Sequence, residues 1–179
     1  KIMNRLFSIN PIMVTHSVET GLDKSSIPSE LGSDLLCNLA YAHYYHKESD
    51  VMVIDFGTAL TFSTVSASGK VLGVAIAPGL VTSVNSLFGN TAQLPQVELK
   101  LPQTVLGRDS VSSIRAGIMA GYAGLVETII KDTEKEVGHK IFVMATGGLS
   151  ATISKIIPRI DELDSLITLK GLGLIASLN

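Results

Sequence analysis

Three short segments hold residue types that can handle a charged ligand. Asp55 ends the apolar run Val51-Met52-Val53-Ile54 and opens Asp55-Phe56-Gly57-Thr58-Ala59-Leu60-Thr61. A carboxylate at the end of a buried strand is costly unless a cation or hydrogen-bond donors meet it. Gly57 permits a tight turn, and Thr58 and Thr61 offer hydroxyls and backbone amides. That combination suits Mg²⁺ or another cation together with a nucleotide phosphate. A structural Asx-type turn accounts equally for the local pattern. The second segment, Ala145-Thr146-Gly147-Gly148, stands between a strand-like and a helix-like stretch. Paired glycines let a ligand approach the backbone, and a helix N-terminus favours anions. Such a turn is also an ordinary tight connection. In the third segment, Gly32-Ser33-Asp34, either Ser33 or Asp34 can cap a helix. Asp34 can alternatively act as a general base toward a hydroxyl substrate.

The elements that must position these residues follow from periodicity. Leu35, Leu36, Leu39, Ala40 and Ala42 recur at helical spacing from Gly32 onward. Val51–Ile54 reads as a strand covered on both faces. Residues 58–66 and 71–77 read as two more strands, joined by a reverse turn at Ser68-Gly69-Lys70. Pro11–Thr15 reads as a further short strand. Residues 80–88 suit a short helix and 89–103 a loop or lid. A long helix spans 111–136. Strand 141–145 follows, then a helix over 149–157 ending at Pro158, a strand over 166–169 and a last helix over 172–178. The order predicts an α/β fold: a mixed sheet flanked by helices on both faces.

Composition narrows the partners. The chain has 179 residues, 46% of them apolar and 17% charged, enough to bury a core. Net charge is −2 with no basic block, which argues against nucleic acid or an anionic membrane as a main partner. Cys37 is the single cysteine, so no internal disulfide forms, and this fits a cytoplasmic setting. The four histidines show no metal-ligand spacing.

Taken together and in order, the motifs resemble the type III pantothenate kinase family, also called the Bvg accessory factor family. Pro28-Ser29-Glu30-Leu31-Gly32-Ser33-Asp34 is similar to P-x-E-V-G-A-D-R. Asp55–Thr61 is similar to D-x-G-T-A-T-T, and Ile76-Ala77-Pro78-Gly79 to I-x-P-G. Thr91-Ala92-Gln93-Leu94-Pro95 matches T-A-x-L-P. Gly107-Arg108-Asp109-Ser110 falls where the family has G-x-x-T before a helix. Thr146-Gly147-Gly148 matches T-G-G, and Leu169-Lys170-Gly171-Leu172 matches L-K-G-L.

The resemblance implies an actin-like, ribonuclease H-like fold of the acetate and sugar kinase/Hsp70/actin superfamily. It divides the chain into residues 1–47, a remnant of a first actin-like domain, and 48–179, the second. It implies phosphorylation of pantothenate by ATP, the first step toward coenzyme A, in a cytoplasmic homodimer. Asp34 would accept the hydroxyl proton, and Asp55 would hold a monovalent cation, K⁺ or NH₄⁺. Thr58 and Gly57 would meet ATP with its Mg²⁺, with Gly147 and Gly148 nearby. Gly32, Ser33, the Leu35 position and Ser110 would contact pantothenate.

Several departures accompany the resemblance. The family's D-x-G-N-T phosphate loop would lie upstream of Lys1, so the chain reads as trimmed or truncated. Leu35 replaces an arginine that could bind an anion bidentately. Ser25 stands where a tyrosine is usual, Ser110 replaces threonine, and Val74 replaces a glycine. The alternative function is therefore a non-catalytic paralogue acting as partner or accessory protein.

Overall fold

The computed structural model describes Leu6, Ser8 and residues 10–89 and 97–179. The Thr91–Pro95 motif lies outside the described residues. Helix α1 spans Ser33–Tyr45. Strands β1 (Val51–Phe56), β2 (Ala59–Val65) and β3 (Val71–Pro78) follow. Then come α2 (Leu80–Gly89), α3 (Ser110–Val137), β4 (Phe142–Thr146), α4 (Ser150–Ile153), β5 (Glu162–Leu163) and α5 (Ile167–Leu178).

The strands form one sheet in the order β3-β2-β1-β4-β5. β1 pairs antiparallel with β2 and parallel with β4, so the sheet is mixed, as expected. Side chains of β1 alternate between two cores, as a pleated strand requires. Val51 and Val53 pack with Leu36, Leu39, Ala40, Ile167 and Ile175, the faces of α1 and α5. Met52, Ile54 and Phe56 pack with Met119, Tyr122, Ile130 and Ile153 on the other side. Burying each such Leu, Ile or Phe contributes about 1.5–3 kcal/mol. The continuous apolar run of β1 is thus explained by helices on both faces.

The long helix α3 extends one residue beyond the expected 111–136 at each end. Asp109 caps it in a reciprocal box with Ser112, and Gly138 ends it in the left-handed conformation at φ 85°. Among the described residues no helix is long and apolar enough to cross a membrane.

Three local expectations are corrected. Pro11–Thr15 forms no strand. The helix expected over 149–157 is a four-residue α4 followed by a 3-10 turn at Ser154–Ile156. Residues 167–169 are helical, not extended, because α5 already begins at Ile167. Ile167, Gly171 and Ile175 repeat at intervals of four and face α1, so tertiary packing overrides the β-branched composition. The last parallel strand sits earlier, at Glu162–Leu163, paired with Met144 and Ala145.

Gly171 explains how α5 lies so close to α1. A Cβ there would collide with the Cys37 carbonyl. Gly171→Ala gains about 1 kcal/mol of helix propensity, but overpacking costs about 1–3 kcal/mol or more. We expect a lower urea midpoint for this variant; a raised midpoint would contradict the close crossing.

Candidate active site

Asp55 lies near the carboxyl end of β1, where strand β4 runs parallel. Ligands of open α/β sheets bind at the carboxyl ends of strands. In register, Asp55 stands opposite Thr61 on β2 and Thr146 on β4. Directly paired residues share a sheet face. The three polar side chains therefore form a row on the sheet face that α1 and α5 cover, next to the buried Ser63 opposite Val53. The Thr61 hydroxyl is buried and has no hydrogen-bond partner among the described residues.

Turns from separate parts of the sequence close around this row. Gly147 adopts φ 92°, and a Cβ on it would sit 2.6 Å from Asp55 Oδ1 and 2.7 Å from the Phe56 nitrogen. Only glycine fits there, on both conformational and steric grounds. The Gly57–Thr58 turn is buttressed from the other side. The Gly79 amide donates to the Thr58 carbonyl at 3.0 Å, and the Thr82 hydroxyl to the same oxygen at 2.8 Å. Gly79 also has no room for a Cβ against the Gly57 and Thr58 backbone. Gly57 and Thr58 themselves are exposed, and Gly148 faces open space. The segments around Asp55, Pro78-Gly79 and Gly147-Gly148 are thus brought together at one edge.

Helix α1 delivers the third segment. Gly32 occupies its N-cap without a side-chain cap. The capping alternative for Ser33 and Asp34 is not what forms: the Ser33 hydroxyl donates to the Val14 carbonyl at 2.7 Å. Asp34 Oδ1 accepts from the Leu35 amide next to it at 2.9 Å. The Asp34 side chain is exposed, whereas Leu35 is turned inward and 7% exposed. Burial pushes the Asp55 carboxyl above the usual aspartate range. Asn38 opposes that shift, and the nearby Asp34 charge adds to it. Asp34 and Asp55 therefore share one electrostatic site.

Not every expected residue joins it. Ser110 opens α3 beside its Asp109 cap and is exposed. No hydrogen bond or ion pair among the described residues links it to Asp34 or Asp55. Gly107, in the same motif, packs against the Ser113 backbone. Ser25, in a 3-10 turn, donates its hydroxyl to Asp23 at 2.7 Å. A cavity of about 270 Å³ lies on the other sheet face, lined by Met52, Phe62, Ile129 and Thr133.

Two residues beside the site were missed in the sequence. Asn38 is fully buried in α1, one turn beyond Asp34. Its Oδ1 accepts from the Thr168 hydroxyl of α5 at 2.7 Å. The available signal was an amide inside an apolar helical run, which needs a partner. Thr168 was hidden by the strand expectation.

Comparison with known proteins agrees with this geometry. A family model described as type III pantothenate kinase matches residues 1–132. A type III pantothenate kinase of Syntrophobacter fumaroxidans is 40% identical over the whole chain. This chain belongs to the type III pantothenate kinase family. Similar proteins of that name from Syntrophus aciditrophicus and Myxococcus xanthus are each 38% identical, over 99% and 100% of the chain. The chain spans 70% of the length of each of these relatives. Among solved structures, a protein of Campylobacter jejuni described as a Baf family transcriptional activator superposes with a TM-score of 0.56 at 22% identity. That match covers 84% of this chain and 66% of the other. It shares the fold, a mixed sheet flanked by helices. Type III pantothenate kinases are phosphotransferases, and three of the family-like segments, around Asp55, Pro78-Gly79 and Gly147-Gly148, lie together at the Asp55 edge.

The raised Asp55 pKa has a consequence for stability. Because the folded-state value lies above the unfolded one, the fold favours the neutral acid. That contribution is full below the unfolded aspartate value, about 3.9, and is lost as pH rises through the folded value. Without cation or nucleotide, Asp55→Asn should therefore raise the melting temperature at pH 7. The gain should shrink as the pH falls through the folded Asp55 value and be gone below about 3.9, the unfolded value. An equal or lower melting temperature at pH 7 would contradict this account of Asp55.

Proposed function

We propose that this protein is an ATP-dependent kinase that phosphorylates the hydroxyl of pantothenate, with Asp34 as proton acceptor. The observation that carries the proposal is the convergence of three glycine-bearing turns at Asp55, a carboxyl at which the charge of the exposed Asp34 is also felt. Phosphoryl transfer needs positioning and charge neutralisation more than covalent participation. In the proposed step the substrate oxygen forms a bond to the γ-phosphorus of ATP. Its proton passes to the Asp34 carboxylate, the bond from that phosphorus to the β,γ-bridging oxygen breaks, and ADP leaves with the electron pair. Asp34 is exposed on the first turn of α1, so an incoming hydroxyl can reach it. Residues 1–47 thus bring the base, and 48–179 bring the nucleotide side.

The donor set at Asp55 fits a monovalent cation, K⁺ or NH₄⁺. It offers one carboxylate and the unpartnered Thr61 hydroxyl, which are hard oxygen ligands. Among the described residues no group of three or more His, Cys, Asp or Glu is arranged to hold a metal ion. Such a cation would supply positive charge beside the phosphates. Gly57, Thr58, Gly147 and Gly148 would receive the nucleotide, with Mg²⁺ travelling on ATP. Their exposed or closely packed backbones leave room for phosphate oxygens at the sheet edge. Gly32, Ser33, the inward-turned Leu35 and Ser110 would border pantothenate. Ser110 would reach the substrate from α3, in keeping with a pocket completed in a homodimer.

Leu35 favours a second reading, in which the chain is a non-catalytic partner. A buried leucine offers pantothenate no charge where an arginine would have offered a bidentate one. Isothermal titration separates the two. The kinase reading predicts binding of both ATP and pantothenate; binding of neither sinks it. Asp34→Asn should lower kcat by about 10²–10⁴-fold while leaving ATP binding intact. A variant with unaltered kcat would remove Asp34 from the role of base.

A further inference from the structure

Small residues on an edge strand leave a gap in the second core. Gly73 and Ala75 of β3 pair with Thr64 and Phe62 of β2, which pair in turn with Met52 and Ile54 of β1. Directly paired residues share a sheet face, here the one that α3 covers. The inner strands fill that face with Met52 and Phe62, both buried. The edge strand offers only a hydrogen and a methyl group. Ile129 and Thr133, one turn apart on α3, line the resulting cavity of about 270 Å³. A Cβ on Gly73 would meet nothing within 4 Å, so the glycine borders open space.

The volume lies near the lower end of small-molecule pockets, about 300–1,000 Å³, and suits a ligand smaller than a nucleotide. The walls are not uniformly apolar. Thr64 is 5% exposed, and none of the hydrogen bonds among the described residues uses its hydroxyl. A buried hydroxyl without a partner costs free energy that a polar group of a ligand would recover. Glu136, one turn beyond Thr133, lines the cavity and is exposed, so it stands where the cavity meets solvent. No Lys, Arg or His lines the cavity. Its field therefore favours a cation and opposes a carboxylate or phosphate.

We propose that this cavity is a binding site for a small aliphatic amino alcohol. The hydrocarbon body lies against Met52, Phe62 and Ile129, the hydroxyl pairs with buried Thr64, and the ammonium group stays at the mouth with Glu136. Because β3 is the edge strand of the sheet, a ligand enters alongside it without unpairing strands. The site is separate from the Asp55 edge. It lies on the opposite sheet face, and Met52 and Gly73 stand near the starts of strands whose far ends carry Asp55 and Pro78. The proposal does not depend on the kinase reading.

The test compares 6-aminohexan-1-ol, hexylamine and 6-hydroxyhexanoate, which share a hydrocarbon body and differ in polar ends. ¹H–¹⁵N spectra read binding at the Gly73, Ala75 and Thr133 amides. The amino alcohol should shift these amides saturably. Hexylamine should bind about two- to tenfold more weakly, for want of the hydroxyl. Reversing the charge in 6-hydroxyhexanoate should weaken binding at least about twofold. Thr64→Val should bring the amino alcohol to the level of hexylamine and leave hexylamine unchanged. Gly73 lies outside the left-handed region, so Gly73→Val fits the strand. It should fill the cavity, keep or raise the melting temperature and abolish binding. Three results overturn the proposal: no saturable shift in the wild-type protein, equal binding of 6-hydroxyhexanoate, or unweakened binding in a folded Gly73→Val. If Gly73→Val does not fold, an amino alcohol affinity unchanged in Thr64→Val overturns it instead. Cavity amides that move with protein concentration and not with the amino alcohol would assign the space to a second copy of the chain, and would overturn it too.

Discussion

A half-buried carboxylate beside a second carboxylate is the constraint on which the rest of this structure depends. Asp55 must end a strand that is otherwise wholly apolar, and it must do so where water is scarce. The fold places Thr61 and Thr146 opposite it on the adjacent strands and the buried Asn38 on α1, which favours its charged form. Burial raises the Asp55 pKa, and the Asp34 charge adds to it. A site that wants a cation is one that looks under-compensated without it. The unpartnered Thr61 hydroxyl belongs to the same pattern.

The glycines follow from this arrangement. Gly147 and Gly79 press turns against the backbone around Asp55, where any side chain would enter space already filled. Gly171 does the equivalent work between helices, letting α5 lie against α1. Close backbone contact makes the edge rigid while keeping Gly57, Thr58 and Asp34 exposed to a ligand. Rigid turns around an open edge suit a reaction whose catalysis is mostly orientation.

Much of this was legible in the sequence, for identifiable reasons. Asp55 after four apolar residues announces a polar group at the end of a buried strand, and Gly57 announces the turn. The long helix α3 was visible in its apolar periodicity, and the structure adds its caps, Asp109 and Gly138. What failed was local composition set against packing: Leu166–Leu169 looks extended because of its β-branched residues, but the four-residue spacing from Ile167 to Ile175 decides for helix. Asn38 escaped notice because its meaning depends on Thr168, 130 positions away. The convergence of the turns at Asp55, Gly79 and Gly147 is likewise a property of strand register, which no single motif encodes.

The central claim is that this edge moves a phosphoryl group from ATP to a hydroxyl. The most direct measurement is ³¹P NMR of the protein incubated with ATP, Mg²⁺, K⁺ and pantothenate. The account predicts a new phosphomonoester signal growing in step with ADP. Unchanged ATP, or ADP appearing with inorganic phosphate and no monoester, would contradict it.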